Sequence, residues 1–100
     1  MSRSVRIRIV RGPRSGVAFP ALIDRRLVVG RAPEASVRLD DDGISRLHCE
    51  VLWDGRACRL RDLGSTNGTR VNGERTQRAP IANGDDVQLG KLLLRLELPV

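Results

Sequence analysis

The sequence has 100 residues, a length that suits one domain with a single hydrophobic core, and its formal net charge of +6 comes almost entirely from arginine. One histidine and two cysteines are too few for a structural zinc site or a catalytic metal, so we expect no metal and no cofactor. No apolar run is long enough to span a membrane. We therefore expect a soluble, cytoplasmic, monomeric domain over residues 1–100, whether alone or cut from a longer chain.

A basic composition favours anionic partners, namely nucleic acid, acidic membrane or phosphorylated protein. The arginines, however, alternate with apolar residues, as Arg6 and Arg8 do, which is typical of a solvated sheet face. A binder of single-stranded nucleic acid also needs aromatic stacking platforms, and only Phe19 and Trp53 are aromatic. We expect neither nucleic-acid binding nor membrane insertion.

The periodicity of the chain predicts strands throughout. Apolar and polar residues alternate in short segments separated by glycine, proline, asparagine and aspartate, and no segment predicts a helix of three turns. Many short strands with frequent turns indicate an all-β sandwich or barrel and exclude a doubly wound sheet. Besides the hairpin strands described next, the segments predicted as strands are residues 5–9, 17–19, 27–29, 37–39, 87–89 and 92–98.

A hairpin is predicted at residues 54–55, because Asp-Gly favours a two-residue turn. Such a turn pairs Trp53 with Arg56 and places Cys49 and Cys58 as diagonal neighbours on the apolar face, roughly 7 to 8 Å apart. That separation exceeds comfortable disulfide reach, so both cysteines are predicted to be reduced core residues.

Residues 62–69 read Asp-Leu-Gly-Ser-Thr-Asn-Gly-Thr, a loop with flexible glycines and several hydrogen-bonding side chains. It lacks the lysine of a nucleotide-binding P-loop, and no helix follows it. A hydrolytic triad of Ser45, His48 and Asp62 has poor geometry, because the first two lie three residues apart at a strand entry. Residues 40–42 are acidic but do not have EF-hand spacing. We therefore expect no enzyme activity.

Phosphate recognition needs parts that this chain has. A phosphorylated side chain presents about two negative charges and three acceptor oxygens, which call for a guanidinium, hydroxyls and amides in an exposed site. Arg31, Ser45, Arg46, Thr66 and Asn67 supply such groups. Read individually, they are equally a solvated arginine or ordinary turn residues, and the residues alone do not show that they converge.

An ordered set of short motifs closely resembles the forkhead-associated (FHA) domain. Each motif is uninformative alone, whereas their order and spacing together are highly specific. The resemblance implies a β-sandwich of about eleven mostly antiparallel strands whose loops at one end bind phosphothreonine peptides. The motifs are Gly30-Arg31, Ser45-x-x-His48, residues 62–69, Asn72-Gly73, Gly84-Asp85 and Leu89-Gly90.

The resemblance also implies a role for each site residue. Arg31 would pair with the phosphate, Ser45 would hydrogen-bond it, and Arg46 would add a further contact. Thr66 would line the pocket for the phosphate and the threonine methyl group, and Asn67 would hold the ligand backbone. The residues expected to support these loops are Gly30, His48, Gly64, Gly68 and Asn72.

The function that this resemblance implies is a bacterial protein-interaction module that docks onto phosphothreonine deposited by a Ser/Thr kinase. The alternative is a module on the same fold that binds a folded partner or itself through a sheet face, without phosphate. The sequence does not identify the kinase, the ligand sequence or the parent protein.

Overall fold

The computed structural model describes residues 4–99, which form eleven β-strands and no helix. Within that part of the chain there is accordingly no helical segment with the length and hydropathy of a membrane span. The strands are β1 (Val5–Arg11), β2 (Ala18–Ala21), β3 (Leu27–Gly30), β4 (Val37–Arg38), β5 (Cys49–Trp53), β6 (Cys58–Asp62), β7 (Thr69–Val71), β8 (Glu74–Arg75), β9 (Arg78–Ile81), β10 (Asp86–Leu89) and β11 (Leu92–Glu97).

The strands form two sheets. One has six strands in the order β2-β1-β11-β10-β7-β8, and the other has five in the order β4-β3-β5-β6-β9. Every pairing is antiparallel except that of β3 with β4, which is parallel. Two of the four edge strands, β4 and β8, have only two residues each, and the other two contain Pro20 and Pro80. The predicted β-sandwich of about eleven strands is confirmed.

The core lies between the sheets and follows the predicted alternation. In β1, Val5, Ile7 and Ile9 are fully buried, while the residues between them face outward. Because successive side chains of a strand point to opposite faces, the strands β1, β5, β6, β10 and β11 contribute alternate residues to this core. The largest fully buried side chains elsewhere are Ile44, Leu60, Leu89, Leu94, Leu96, His48, Val29, Val37 and Val51.

The hairpin between β5 and β6 differs from the prediction. Trp53 pairs with Cys58, not with Arg56, so four residues form the connection. The physical reason is Asp54, whose Oδ1 accepts hydrogen bonds from the amides of Arg56 and Ala57 at 2.8 and 2.7 Å and thereby caps a wider turn. The predicted two-residue turn is therefore wrong by two positions of register.

The same shift changes the placement of the cysteines. Cys49 pairs with Asp62, and Cys58 pairs with Trp53, so the two thiols lie four positions apart along the hairpin, roughly 13 Å rather than the 7 to 8 Å of diagonal neighbours. Both are free and buried, as predicted for core residues. Burial raises the pKa of both thiols, that of Cys58 to about 11.

Strand β9 was not predicted. Its sequence, Arg-Ala-Pro-Ile, has little alternation, and a proline inside a segment argues against a central strand. The structure accommodates Pro80 because β9 pairs only with β6 and lies at the sheet edge. An edge strand has one side without ladder hydrogen bonds, so a missing N–H is tolerated there.

Candidate functional site

Three loops meet at one end of the sandwich: residues 31–36 after β3, residues 39–48 before β5, and residues 63–68 after β6. The first two are joined through their backbones, because the Arg31 amide donates to Ser45 O and the Ala32 amide donates to Arg46 O, both at 3.0 Å. Gly30 makes this approach possible. A Cβ at this position would lie 2.1 Å from the Arg46 carbonyl oxygen, which no side chain can occupy.

Arg31 is held by this junction without being neutralised. Its Nε donates to the carbonyl oxygen of Ile44 at 3.2 Å, and the residue is half-buried. No carboxylate among residues 4–99 comes within salt-bridge distance of it. The terminal nitrogens of the guanidinium therefore remain available to a ligand. The hydrogen bond fixes the position of the positive charge, and the described chain supplies no counter-charge.

Ser45 links the second loop to the third. Its Oγ accepts a hydrogen bond from the Thr66 amide at 3.0 Å, so the hydroxyl proton can be donated elsewhere. Asn67 makes the other link, because its Nδ2 donates to Gly43 O at 3.0 Å. The Oδ1 of Asn67 accepts nothing from residues 4–99, and both Thr66 and Asn67 are exposed. The loops thus present a hydroxyl donor and an amide acceptor on one surface.

His48 joins the loops from beneath. It is fully buried, its Nδ1 accepts from the Ser45 amide at 3.1 Å, and its Nε2 lies 2.8 Å from the carbonyl oxygen of Gly68. An amide can only donate and a carbonyl can only accept, so the imidazole is neutral with its proton on Nε2. This tautomer ties the Ser45 loop to the end of the 63–68 loop.

Asp62 organises the third loop, a role that was not predicted from the sequence. Its carboxylate accepts from the amides of Gly64 and Ser65, both at 3.0 Å, and from the hydroxyls of Ser65 and Thr69 at 2.5 and 2.7 Å. Burial raises the pKa of this carboxyl, but the hydrogen bonds from Ser65 and Thr69 outweigh it and bring the pKa below its ordinary value. An aspartate that precedes a glycine by two residues and a serine by three is a signal for such a turn.

The glycines of this loop adopt the left-handed conformation. Gly64 has a φ of +75° and Gly68 a φ of +84°, values that residues with a Cβ rarely adopt.

Asn72 is placed differently from the other predicted support residues. It lies at the two-residue turn between β7 and β8, and its side chain contacts Asp85 and the Asp86 amide at 3.1 and 2.9 Å rather than the three loops.

Arg46 is the least constrained of the predicted ligand residues. Its Nη2 lies 3.7 Å from Glu34 Oε1, and the two side chains are 63% and 62% exposed. A contact of that length and exposure restrains neither side chain strongly. The structure therefore brings the loops of Arg31, Ser45, Thr66 and Asn67 together through direct contacts. The side chain of Arg46 is exposed and contacts Glu34 rather than these loops' shared hydrogen bonds.

These features define a class: β-sandwich domains that present a ligand site, with an uncompensated guanidinium, on loops at one end. Within that class, the sequence profile of the FHA domain matches residues 27–90, so the chain belongs to the FHA domain family, whose members are interaction modules. The predicted family is confirmed.

The relatives in this family include two mycobacterial proteins. The chain is 48% identical over 63 residues to the FHA domain-containing protein FhaA of Mycobacterium tuberculosis, a match that spans 63% of this chain and 12% of FhaA. It is 42% identical over 94 residues to the glycogen accumulation regulator GarA of Mycolicibacterium smegmatis, which covers 93% of this chain and 58% of GarA.

Among solved structures, the fold is similar to that of a domain from a structural and functional analysis of phosphothreonine-dependent FHA domain interactions. The TM-score is 0.90 at 35% identity, and the match covers 97% of this chain and 98% of that one. The likeness therefore extends over both sheets and all three loops.

Proposed function

We propose that this domain docks onto proteins phosphorylated on threonine and so acts in Ser/Thr kinase signalling. The observation that carries the proposal is the junction of the three loops, where Arg31 is uncompensated and Ser45 Oγ, held by the Thr66 amide, keeps its proton for a ligand. The phosphothreonine-dependent interactions named for the similar solved structure support the same ligand class.

In this proposal each residue answers one feature of the ligand. The phosphate, with about two negative charges, accepts hydrogen bonds from the guanidinium of Arg31 and the hydroxyl of Ser45. Arg46, whose side chain is exposed, contacts it as a second cation. Thr66 lines the pocket beside the phosphate and the threonine methyl group. Asn67 pairs with the backbone of the ligand through its free amide oxygen and holds the peptide extended across the loops.

In this proposal the domain is a non-catalytic, monomeric module in the cytoplasm of a bacterium. Two free, buried thiols suit a reducing compartment, and a Ser/Thr kinase needs the cell's ATP to make the ligand. Gly30, His48, Gly64 and Gly68 shape the loops in this scheme and do not contact the phosphate.

Titration calorimetry with matched phosphothreonine, phosphoserine and unmodified peptides tests the proposal. We expect the phosphothreonine peptide to bind most tightly. Arg31→Ala should weaken its binding roughly tenfold to a hundredfold, because a hydrogen bond to a charged group contributes about 1.5 to 3 kcal/mol. Arg56→Ala removes the same charge at the opposite end of β5 and should leave affinity unchanged. Equal affinity for all three peptides, or full binding by Arg31→Ala, would contradict the proposal.

A second candidate function, phosphate-independent docking, is favoured by one observation. The outer face of the five-stranded sheet has a groove of about 680 Å³ in which Leu52 is 38% exposed and Glu50 is the only acid among the described residues that line it. Its charge fits an acidic segment of a partner protein. Arg59→Glu together with Arg78→Glu should abolish such docking and spare phosphopeptide binding, whereas Arg31→Ala should do the reverse. The groove is lined by Arg26, Glu50, Leu52, Arg59, Leu60, Arg61, Arg78, Ala79 and Pro80.

A further inference from the structure

Two consecutive carbonyl groups, those of residues 43–44, hold two of the predicted ligand side chains. Gly43 O accepts a hydrogen bond from Asn67 Nδ2 at 3.0 Å, and Ile44 O accepts one from Arg31 Nε at 3.2 Å. The carboxamide proposed for the ligand backbone and the guanidinium proposed for the phosphate therefore take their positions from neighbouring peptide groups. Whatever orients these peptide groups orients both parts of the site.

Asp41 orients them. Its Oδ1 accepts a hydrogen bond from the Gly43 amide at 2.8 Å, and its backbone carbonyl oxygen accepts one from the Ile44 amide at 3.0 Å. An aspartate that binds the amide two residues further on closes a tight turn, here over residues 41–44. The turn ends on Ile44, whose side chain is fully buried. The direction of both carbonyl groups thus depends on Asp41 at one end of the turn and on the core at the other.

The turn between β10 and β11 supports the same peptide group from another side. A Cβ added at Gly90 would lie 3.1 Å from Gly43 O and 3.2 Å from Gly43 C, so the two backbones pack closely. Gly90 is itself held, because its carbonyl oxygen accepts a hydrogen bond from Gln88 Nε2 at 3.2 Å. The Gly43 peptide group therefore lies between Asp41, which accepts its N–H, and Gly90, against which its carbonyl group packs.

The charge of Asp41 opposes the proposed ligand. Asp41 is the middle one of three consecutive aspartates, and no basic side chain in residues 4–99 lies within salt-bridge distance of it. Because like charges repel, each of the three carboxylates acts against a bound phosphate through charge alone. Asp40 and Asp42 are exposed, whereas Asp41 is half-buried and caps the turn. Its charge and its hydrogen bond therefore predict opposite effects when Asp41 is replaced.

We propose that Asp41 is a positioning residue of the phosphopeptide site, which sets Arg31 and Asn67 together through the peptide groups of residues 43–44. This inference rests on the proposed function. Asp41 acts as a hydrogen-bond acceptor, and its negative charge is not needed. The part of the site that binds phosphate and the part that binds the ligand backbone are coupled through this one turn.

Two substitutions separate the geometry of the cap from its charge. Asp41→Asn removes the charge and keeps an oxygen that can bind the same amide, whereas Asp41→Glu keeps the charge and moves the carboxylate outward by one methylene group. Affinity for an alanine-flanked phosphothreonine peptide is measured by fluorescence anisotropy. We expect Asp41→Asn to bind within about twofold of the unsubstituted protein, and Asp41→Glu and Asp41→Ala to bind about fivefold to twentyfold more weakly.

The neighbouring aspartates supply matched controls. Asp40→Ala and Asp42→Ala each remove the same charge as Asp41→Ala from an adjacent position without removing the cap. Both should bind the peptide as tightly as the unsubstituted protein or slightly more tightly, because only repulsion is lost. Opposite directions for adjacent, identical substitutions distinguish positioning from a general effect of charge.

Two further measurements show whether Asp41 acts through the residues it is proposed to position. In double-mutant cycles, Asp41→Glu should cost less affinity when combined with Asn67→Ala or Arg31→Ala, and its full cost when combined with Arg46→Ala, whose side chain contacts Glu34 instead. In NMR spectra of the free protein, the side-chain amide resonance of Asn67 should shift in Asp41→Glu and stay in place in Asp41→Asn.

The outcomes are distinct. Unchanged affinity in Asp41→Glu, equal losses in Asp41→Asn and Asp41→Glu, or additive costs in every cycle would overturn the inference while Arg31-dependent binding stands. Melting curves accompany each variant, and if Asp41→Ala is unfolded at the assay temperature, the comparison of Asp41→Asn with Asp41→Glu decides. If the unsubstituted protein binds no phosphothreonine peptide, the proposed function fails and the role of Asp41 in binding fails with it, even where the Asn67 resonance still shifts in Asp41→Glu.

Discussion

Replacing Asp62 tests whether one carboxylate holds the third loop in its binding conformation. Asp62→Ala removes four hydrogen bonds and leaves the hydroxyl of Thr69, a fully buried residue, without its acceptor. An unsatisfied buried group costs about 1 to 3 kcal/mol, whereas the amides of the exposed loop can turn to water. We therefore expect a loss of about 2 to 4 kcal/mol in the free energy of unfolding.

For a domain of this size that loss lowers the melting temperature by roughly 10 to 20 °C, which differential scanning fluorimetry detects easily. Asp62→Asn should cost about half as much, since its carboxamide still accepts from two donors but carries no charge. Asp42→Ala removes an exposed carboxylate from a neighbouring loop and should change stability by less than about 0.5 kcal/mol. Phosphopeptide affinity should fall with Asp62→Ala, because Thr66 and Asn67 belong to the same loop.

The pH dependence gives an independent check. The pKa of Asp62 is lowered in the folded state, so its contribution to stability is present above the unfolded value of about 4 and is lost as the pH falls through the lower folded value. The stability difference between the unsubstituted protein and Asp62→Asn should therefore narrow in acid. An unchanged melting temperature for Asp62→Ala, or a difference that widens in acid, would refute the reasoning.

Three further predictions concern buried positions. His48→Ala should destabilise the domain by about 2 to 4 kcal/mol in urea denaturation, because the Ser45 amide and the Gly68 carbonyl both lose their hydrogen-bond partner. Gly30→Ala should weaken phosphopeptide binding more than tenfold in calorimetry, since its Cβ would clash with the Arg46 carbonyl oxygen and separate two loops. Cys49 and Cys58 should resist alkylation in the native state and react on unfolding, as followed by mass spectrometry, because burial raises the pKa of both thiols.

Alternation predicted which residues are buried better than it predicted pairing. The faces of β5 and β6 came out correctly although the register was wrong, because a shift of two positions returns every side chain to the same face. The register itself depends on Asp54, whose carboxylate selects a four-residue turn over the two-residue turn that Asp-Gly favours. That competition is between a side-chain cap and a backbone preference, and the dipeptide does not show which prevails.

The residues of the candidate site could be proposed from the sequence only through the family motifs. Arg31 and Ser45 lie in loops that are distant in sequence, and their convergence depends on the parallel pairing of β3 with β4 and on backbone contact at Gly30. No local pattern encodes a contact between two such loops. Asp62 was overlooked for another reason: its role is seen only when its hydrogen-bond partners are counted, although its spacing from Gly64 and Ser65 is a turn signal.

The four sheet edges restrict how this domain can take up another chain. A peptide that extends a sheet needs a continuous row of free N–H and C=O groups, and two of the edges here offer only two residues each, while Pro20 and Pro80 interrupt the other two. Addition of a strand at the sides is thereby disfavoured, both for a ligand and for a second copy that would start an aggregate. The proposed site lies instead on the loops at the end of the sandwich, where side chains rather than strand pairing would decide what binds.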